Sequence, residues 1–165
     1  KMFGGENFFL GKYEHPDGGK LTFAPSIPGH VEHRQLTNNS LNIMAGGFLA
    51  CTPGVNIKAK FGGLKALFSG EGAFLLEASG SGDLFFNSFG GVVEKQINGE
   101  FIVDTGHVVA FDPSLDYKIT GMGSFKSTML SGEGMVMRFS GNGKLYLQTR
   151  NVSSIASWLT PRLLG

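Results

Sequence analysis

The segment KLYLQTR (144–150) alternates, with Leu145, Leu147 and Thr149 on one side of an extended chain and Tyr146, Gln148 and Arg150 on the other. Such alternation is that of a strand with one buried face. Leu84 with Phe86, and Leu21 with Phe23, take the matching inward places in two related stretches. The turn signals NG, GSG, GNG, PG and DP recur along the chain, and clustered glycines supply the positive φ that hairpins and bulges need. The pattern predicts many short antiparallel strands folded as a sandwich, roll or barrel. The tail differs: in NVSSIASWLTPRLLG, Val152, Ile155, Ala156 and Leu159 recur at helical spacing. Asn151 or Ser153 is the expected cap and Pro161 the stop, which predicts a short helix over 151–163 docked on the core.

The same phrase occurs more than once. Gly5-Glu6, Gly70-Glu71 and Gly132-Glu133 are each followed by an apolar run, and then by GGKLTF (18–23), GSGDLFF (80–86) and GNGKLYL (141–147). Between these lies a second unit: LNIMAGGFLACTPGVNIK (41–58) aligns without a gap with FIVDTGHVVAFDPSLDYK (101–118). Termed A and B, the units run A-B-A-B-A, as pseudo-repeats spanning about 3–58, 69–118 and 131–150 of a single domain, 1–165. If each A is built to pair with a B, one A lacks its partner. The expectation is a further B-like stretch upstream, or a neighbouring subunit that covers the gap.

Composition narrows the function. Charged residues are 16% of the chain, below the roughly 25% usual in soluble domains. So little charge leaves outer surface for another subunit to cover. The net charge is +1 with no run of Lys or Arg, so no general positive field points to nucleic acid. Cys51 is the single cysteine and permits no internal disulfide. The longest charge-free window, Gln35 to Ile57, is broken by TNNS, GG and TPG and cannot be a spanning helix. The expectation is a soluble intracellular protein, cytoplasmic, or mitochondrial in a eukaryote.

The motifs SGEG…GNGKLYLQTR, IVDTGHVVAF and GGFLACTPGV, in that combination, resemble the altered-inheritance-of-mitochondria 24 family over nearly the whole chain. The resemblance implies an all-β fold similar to the tryptophan RNA-binding attenuator protein, grouped with double-stranded β-helices. It also implies a further N-terminal β segment absent here. The family's mitochondrial members are tied to inner-membrane organisation.

Candidate chemistry is sparse. Gly5, Glu6, Gly70, Glu71, Gly132 and Glu133 read as a repeated structural turn, because a phosphate-cradling loop needs a following helix and none follows. His30 and His33 would align on a helix but fall on opposite faces of a strand, and the His-x-His pair of metal-binding cupins does not occur. Cys51, with no adjacent cation, reads as a core residue. Asp104 with His107, in VDTGHVVAF, and Gln148 with Arg150 are the remaining functional candidates. Tyr146 with Lys144 and Arg150, and Tyr117 with Lys118, would be the stacking platforms of an RNA-binding module, although most aromatics are Phe, 15 against 3 Tyr and 1 Trp.

These readings name no catalytic mechanism, metal or cofactor. The expected function is a non-enzymatic scaffold that self-associates as a trimer or closed ring; a peripheral membrane contact through the tail around Trp158 and Arg162 is the lesser alternative to docking of that tail on the core. The alternatives are an RNA- or small-ligand-binding module and an enzyme with an unidentified site, the latter requiring His107, Asp104 or His30 to converge on a polar pocket.

Overall fold

The structure is a computed structural model, and it describes residues 10–61, 74–121 and 135–163. It is mostly β, an antiparallel sheet with one C-terminal helix. In chain order the elements are β1 (Val31–Met44), a 3-10 turn (Ala45–Gly47), β2 (Phe48–Cys51) and β3 (Val55–Phe61). There follow β4 (Phe74–Asn87), β5 (Val92–Asp104), a second 3-10 turn (Thr105–His107) and β6 (Val108–Phe111). The last are β7 (Leu115–Gly121), β8 (Met135–Gln148) and helix α1 (Val152–Leu163).

β4 and β8 organise the sheet. β4 pairs β1 along its length and, on its other edge, β3 up to Gly80 and β2 from Leu84 to Phe86. β8 does the same with β5, with β7 up to Gly141, and with β6 from Leu145 to Leu147. The two halves join where Asn42 and Ile43 of β1 pair Phe111 and Ala110 of β6, giving the order β2-β4-β1-β6-β8-β5.

The GSG and GNG stretches, expected as turns, lie inside continuous 14-residue strands. The chain takes its turns elsewhere, at Thr52–Val55 and Asp112–Leu115, each closed by a backbone hydrogen bond (3.3 and 3.1 Å). Those turns explain the glycines. Gly80 has φ +121°, and a Cβ there would stand 2.2 Å from the carbonyl oxygen of Gly54; a Cβ on Gly82 would stand 2.6 Å from Thr52 Oγ1. The glycines let a long strand exchange one neighbour for another beneath a crossing turn.

The core forms two clusters. Leu36, Leu41, Ile43, Leu84, Phe86, Val109, Ala110 and Tyr146 belong to one. Leu75, Ile97, Phe111, Leu115, Met137, Phe139 and Leu145 belong to the other. Leu145 and Tyr146 are neighbours buried on opposite faces of β8, so this strand is covered on both sides rather than one. Phe86, Phe111 and Phe139 are fully buried, each contributing about 1.5–3 kcal/mol of transfer free energy, and Phe111 packs edge-on against Phe139 at 5.0 Å.

Three expectations change. Leu21 and Phe23 are exposed: residues 10–28 join no strand, so no sheet face exists there to bury them. The helix is capped by Asn151, whose Oδ1 accepts from Ser153 N at 2.9 Å, but Pro161 lies inside it rather than ending it. The helix also buries none of its described residues, leaving Trp158 exposed instead of docked. Cys51 is half-buried, at the margin of the first cluster. The Gly-Glu motifs at 5–6, 70–71 and 132–133 lie outside the described residues.

Gly80→Ala is expected to cost on the order of 3 kcal/mol, from a strained φ together with a backbone clash. Gly46→Ala, with nothing within 4 Å of its Cβ, serves as the control, and its expected change is within about 0.5 kcal/mol. Urea unfolding of both variants measures the contrast, and equal midpoints would contradict the close-approach account.

Candidate functional site

One end of the sheet gathers most of the polar residues that the sequence singles out. Four segments meet there: Pro28–His30, Ser88–Gly91, Asp104–His107 and Gln148–Asn151. Backbone bonds hold the first two together, His30 N to Gly90 O (2.9 Å), Ser88 N to His30 O (3.0 Å) and Gly90 N to Pro28 O (3.1 Å). A Cβ on Gly29 would fall 1.7 Å from the Ser88 carbonyl oxygen, so only glycine fits. Thr149 N to Gly91 O (3.0 Å) and Arg150 N to Phe89 O (3.2 Å) fasten the end of β8 to the same strip.

The candidate side chains work within this junction. Gln148 Oε1 accepts from Phe89 N at 2.9 Å, and its Nε2 donates to Gly106 O at 2.7 Å. His107 Nδ1 lies 2.8 Å from Gln148 O. The Asp104 carboxylate accepts from Gly106 N at 2.7 Å and caps the second 3-10 turn. The Arg150 guanidinium lies over the Phe89 ring, 5.9 Å from its centroid. The structure therefore brings Asp104, His107, Gln148 and Arg150 into one neighbourhood. The hydrogen bonds that Asp104, His107 and Gln148 make there run to main-chain groups rather than to one another. Such an arrangement fixes a chain reversal, since buried backbone donors and acceptors must be satisfied.

His30 has its backbone in this junction and its side chain beside Glu32, whereas the His33 side chain pairs elsewhere. His30 Nε2 lies 3.3 Å from Glu32 Oε2. His33 Nε2 lies 2.8 Å from Asp83 Oδ1, and its ring stacks on Phe85 at 4.9 Å. Among the described residues no three His, Cys, Asp or Glu side chains gather as metal ligands. Burial pushes the Cys51 thiol up, away from the range of a reactive thiolate.

A second polar cluster, centred on Arg34, was not visible in the sequence. Arg34 donates to the Tyr146 hydroxyl, and its other guanidinium nitrogen lies 3.4 Å from Asp112 Oδ1. Asp112 Oδ2 accepts from Lys144 N at 2.9 Å, and Lys144 Nζ pairs Glu94 at 2.8 Å. Tyr146 is 4% exposed, so its ring is core rather than a stacking platform. Tyr117 packs edge-on against Phe111 at 5.2 Å. The cluster ties β1 of the first half to β8 and the β6–β7 turn of the second. Its members lie far apart in sequence, which is why no local motif announces it.

Electrostatics in this cluster follow the contacts. The hydrogen bond from Lys144 holds the Glu94 carboxyl below its ordinary range, and the same bond raises the Lys144 ammonium. Burial raises the Tyr146 phenol against the pull of Arg34. No helix among the described residues is long and apolar enough to cross a membrane.

Comparison with known proteins gives a consistent answer. Residues 1–150 match the family model described as Mitochondrial biogenesis AIM24. An uncharacterised protein of Streptococcus pyogenes serotype M6 is 33% identical over 161 residues, covering 96% of this chain and 65% of its own length. The crystal structure of a Streptococcus pyogenes protein superposes with a TM-score of 0.74 at 31% identity, covering 84% of this chain and 62% of that one. The chain thus spans less than two thirds of the length of either relative.

Two outcomes are expected. Gln148→Leu orphans Phe89 N and Gly106 O together and should cost about 2–3 kcal/mol in urea unfolding; a loss below about 0.5 kcal/mol would show that the junction does not depend on this amide. Lys144→Ala should raise the Glu94 titration midpoint, read by carboxyl NMR. The sign follows from the lowered folded pKa: the stability that Glu94 contributes is present above its unfolded pKa and is lost as pH falls through the depressed folded value. Because the pair is exposed, salt should weaken the effect, and a midpoint unmoved by the substitution would remove the pairing account.

Proposed function

The chain belongs to the AIM24 family, and from that premise we propose that it is a non-enzymatic assembling protein, a trimer or closed ring of all-β units. In this reading the fold is the double-stranded β-helix type of the tryptophan RNA-binding attenuator protein, built from internal pseudo-repeats. The observation that carries the non-enzymatic part is the use made of Asp104, His107 and Gln148, whose hydrogen bonds hold a chain junction. An acid–base site would need those groups turned toward a common substrate atom. Nucleic-acid binding is disfavoured by the burial of Tyr146 and the edge packing of Tyr117, which withdraw the rings that bases would stack on. The low charge content favours a surface partly covered by other subunits.

A second role is favoured by the helix. Val152, Ile155, Trp158, Leu159 and Leu163 are exposed along α1, and the Arg162 guanidinium lies over the Trp158 ring, 4.2 Å from its centroid. An apolar stripe edged by an aromatic and a cation suits the interfacial layer of a membrane. This peripheral contact is compatible with assembly, because the helix lies outside the sheet.

Native mass spectrometry at micromolar concentration is expected to give a multimer with no added mass; a monomer at every concentration overturns the assembling function, and a retained small molecule or oligonucleotide points to a binding module instead. Trp158 is the single tryptophan, so its emission should shift to the blue on adding anionic vesicles. Emission unchanged up to millimolar lipid excludes the membrane contact.

A further inference from the structure

The Arg34 cluster uses places that β1–β4 and β5–β8 have in common. Leu84 pairs Arg34 and Cys51 as Leu145 pairs Lys95 and Phe111, so Arg34 and Lys95 correspond. Phe85 pairs His33 and Ala50 as Tyr146 pairs Glu94 and Ala110, so Phe85 and Tyr146 correspond. Thr52 Oγ1 accepts from Asp83 N at 2.7 Å as Asp112 Oδ2 accepts from Lys144 N at 2.9 Å, which matches Thr52 to Asp112.

The places are shared but their chemistry is not. Phe85 is a ring without a hydroxyl, Thr52 is a hydroxyl without a charge, and Lys95 lies over Phe101 of its own strand, 4.9 Å from the centroid. Arg34 instead reaches out of its half. It donates to the Tyr146 hydroxyl, lies 5.7 Å from the centroid of that ring, and pairs Asp112 with its other nitrogen. The Arg34 and Asp112 side chains are 25% and 20% exposed, and a charge-assisted contact so sheltered from water is stronger than one on the open surface.

The two core clusters depend on each other unequally. Among the described residues the first takes Val109 and Ala110 from β6 and Tyr146 from β8, with Val92 of β5 packed against it. The second takes Leu75 from β4, with Met44 of β1 packed against it. Tyr146 is the bulkiest of these crossing side chains, and its ring meets Phe86 edge-on at 5.3 Å. Separation of the halves would therefore strip more from the core of β1–β4 than from that of β5–β8.

We propose that Arg34, Tyr146 and Asp112 form a latch between the halves: while it is closed β1–β4 opens only together with β5–β8, and once it is released β1–β4 opens first. The Tyr146 ring is core and its hydroxyl is the catch, so removal of one oxygen separates the two roles. Proteins commonly open in such cooperative units. This device goes beyond the assembling function and does not rest on it.

Native-state amide hydrogen exchange tests the latch. Ala78 of β4 and Phe139 of β8 are matched reporters, both fully buried and both on strands paired along two edges. In the unaltered chain their protection factors should agree within about threefold, as for one cooperative unit. In Tyr146→Phe the protection of Ala78 should fall about tenfold further than that of Phe139, the loss expected for one hydrogen bond to a charged group. Arg34→Lys keeps the charge and stem but not the two-pronged geometry, and should give the same selective loss with little risk to the fold. The double variant should lose no more than the larger single loss, because both changes break one contact. Equal losses at Ala78 and Phe139, or no loss at either, would overturn the latch. So would an unaltered chain in which Ala78 already exchanges about tenfold faster than Phe139, since the halves would then open separately with the contact intact.

Discussion

The fold depends on two long strands changing neighbours halfway. On one edge β4 holds β1 along its whole length, and on the other it holds β3 and then β2; β8 treats β5, β7 and β6 in the same manner. At the exchange a tight turn crosses the strand, and its carbonyl and hydroxyl oxygens occupy the space of a side chain. Gly80 and Gly82 leave that space empty beneath Thr52–Val55, and Gly141 and Gly143 beneath Asp112–Leu115. The cost is backbone entropy, offset by two apolar clusters that the long strands separate.

This constraint also accounts for what could and could not be read from the chain. Strand alternation located the buried Leu84, Phe86 and Leu145, and Asn151 announced its helix. The glycine clusters were legible as special backbone but not as mid-strand crossings, because local chemistry is the same for a glycine that makes a turn and one that lies under a turn made elsewhere. Leu21 and Phe23 match the inward pattern of Leu84 and Phe86, yet a pattern buries nothing without a sheet beside it. Of the candidate site, Asp104, His107, Gln148 and Arg150 were identified as residues but not as a junction. Gln148 and its partner Gly106 are 42 positions apart, and no local motif can specify that pairing. Arg34 left no signal, since its partner Tyr146 lies 112 positions away.

Comparison of corresponding places clarifies what kind of constraint governs the surface. His33 faces Asp83 in the first half, and Glu94 faces Lys144 in the second. The register puts His33 beside Phe85 and Glu94 beside Tyr146 in the same positions, so the two pairs occupy one structural place with acid and base exchanged. What is kept is an acid–base pair across neighbouring strands, a polar contact that ties the strands together whichever of them carries the acid.

The same reasoning bears on the free edges. Where β1 meets β6 the chain accepts an orphaned buried carbonyl at Asn42, a cost that the sealing of two clusters against water offsets. Apolar residues on an unpaired edge invite aggregation, and β3 and β7 carry charges where that risk exists.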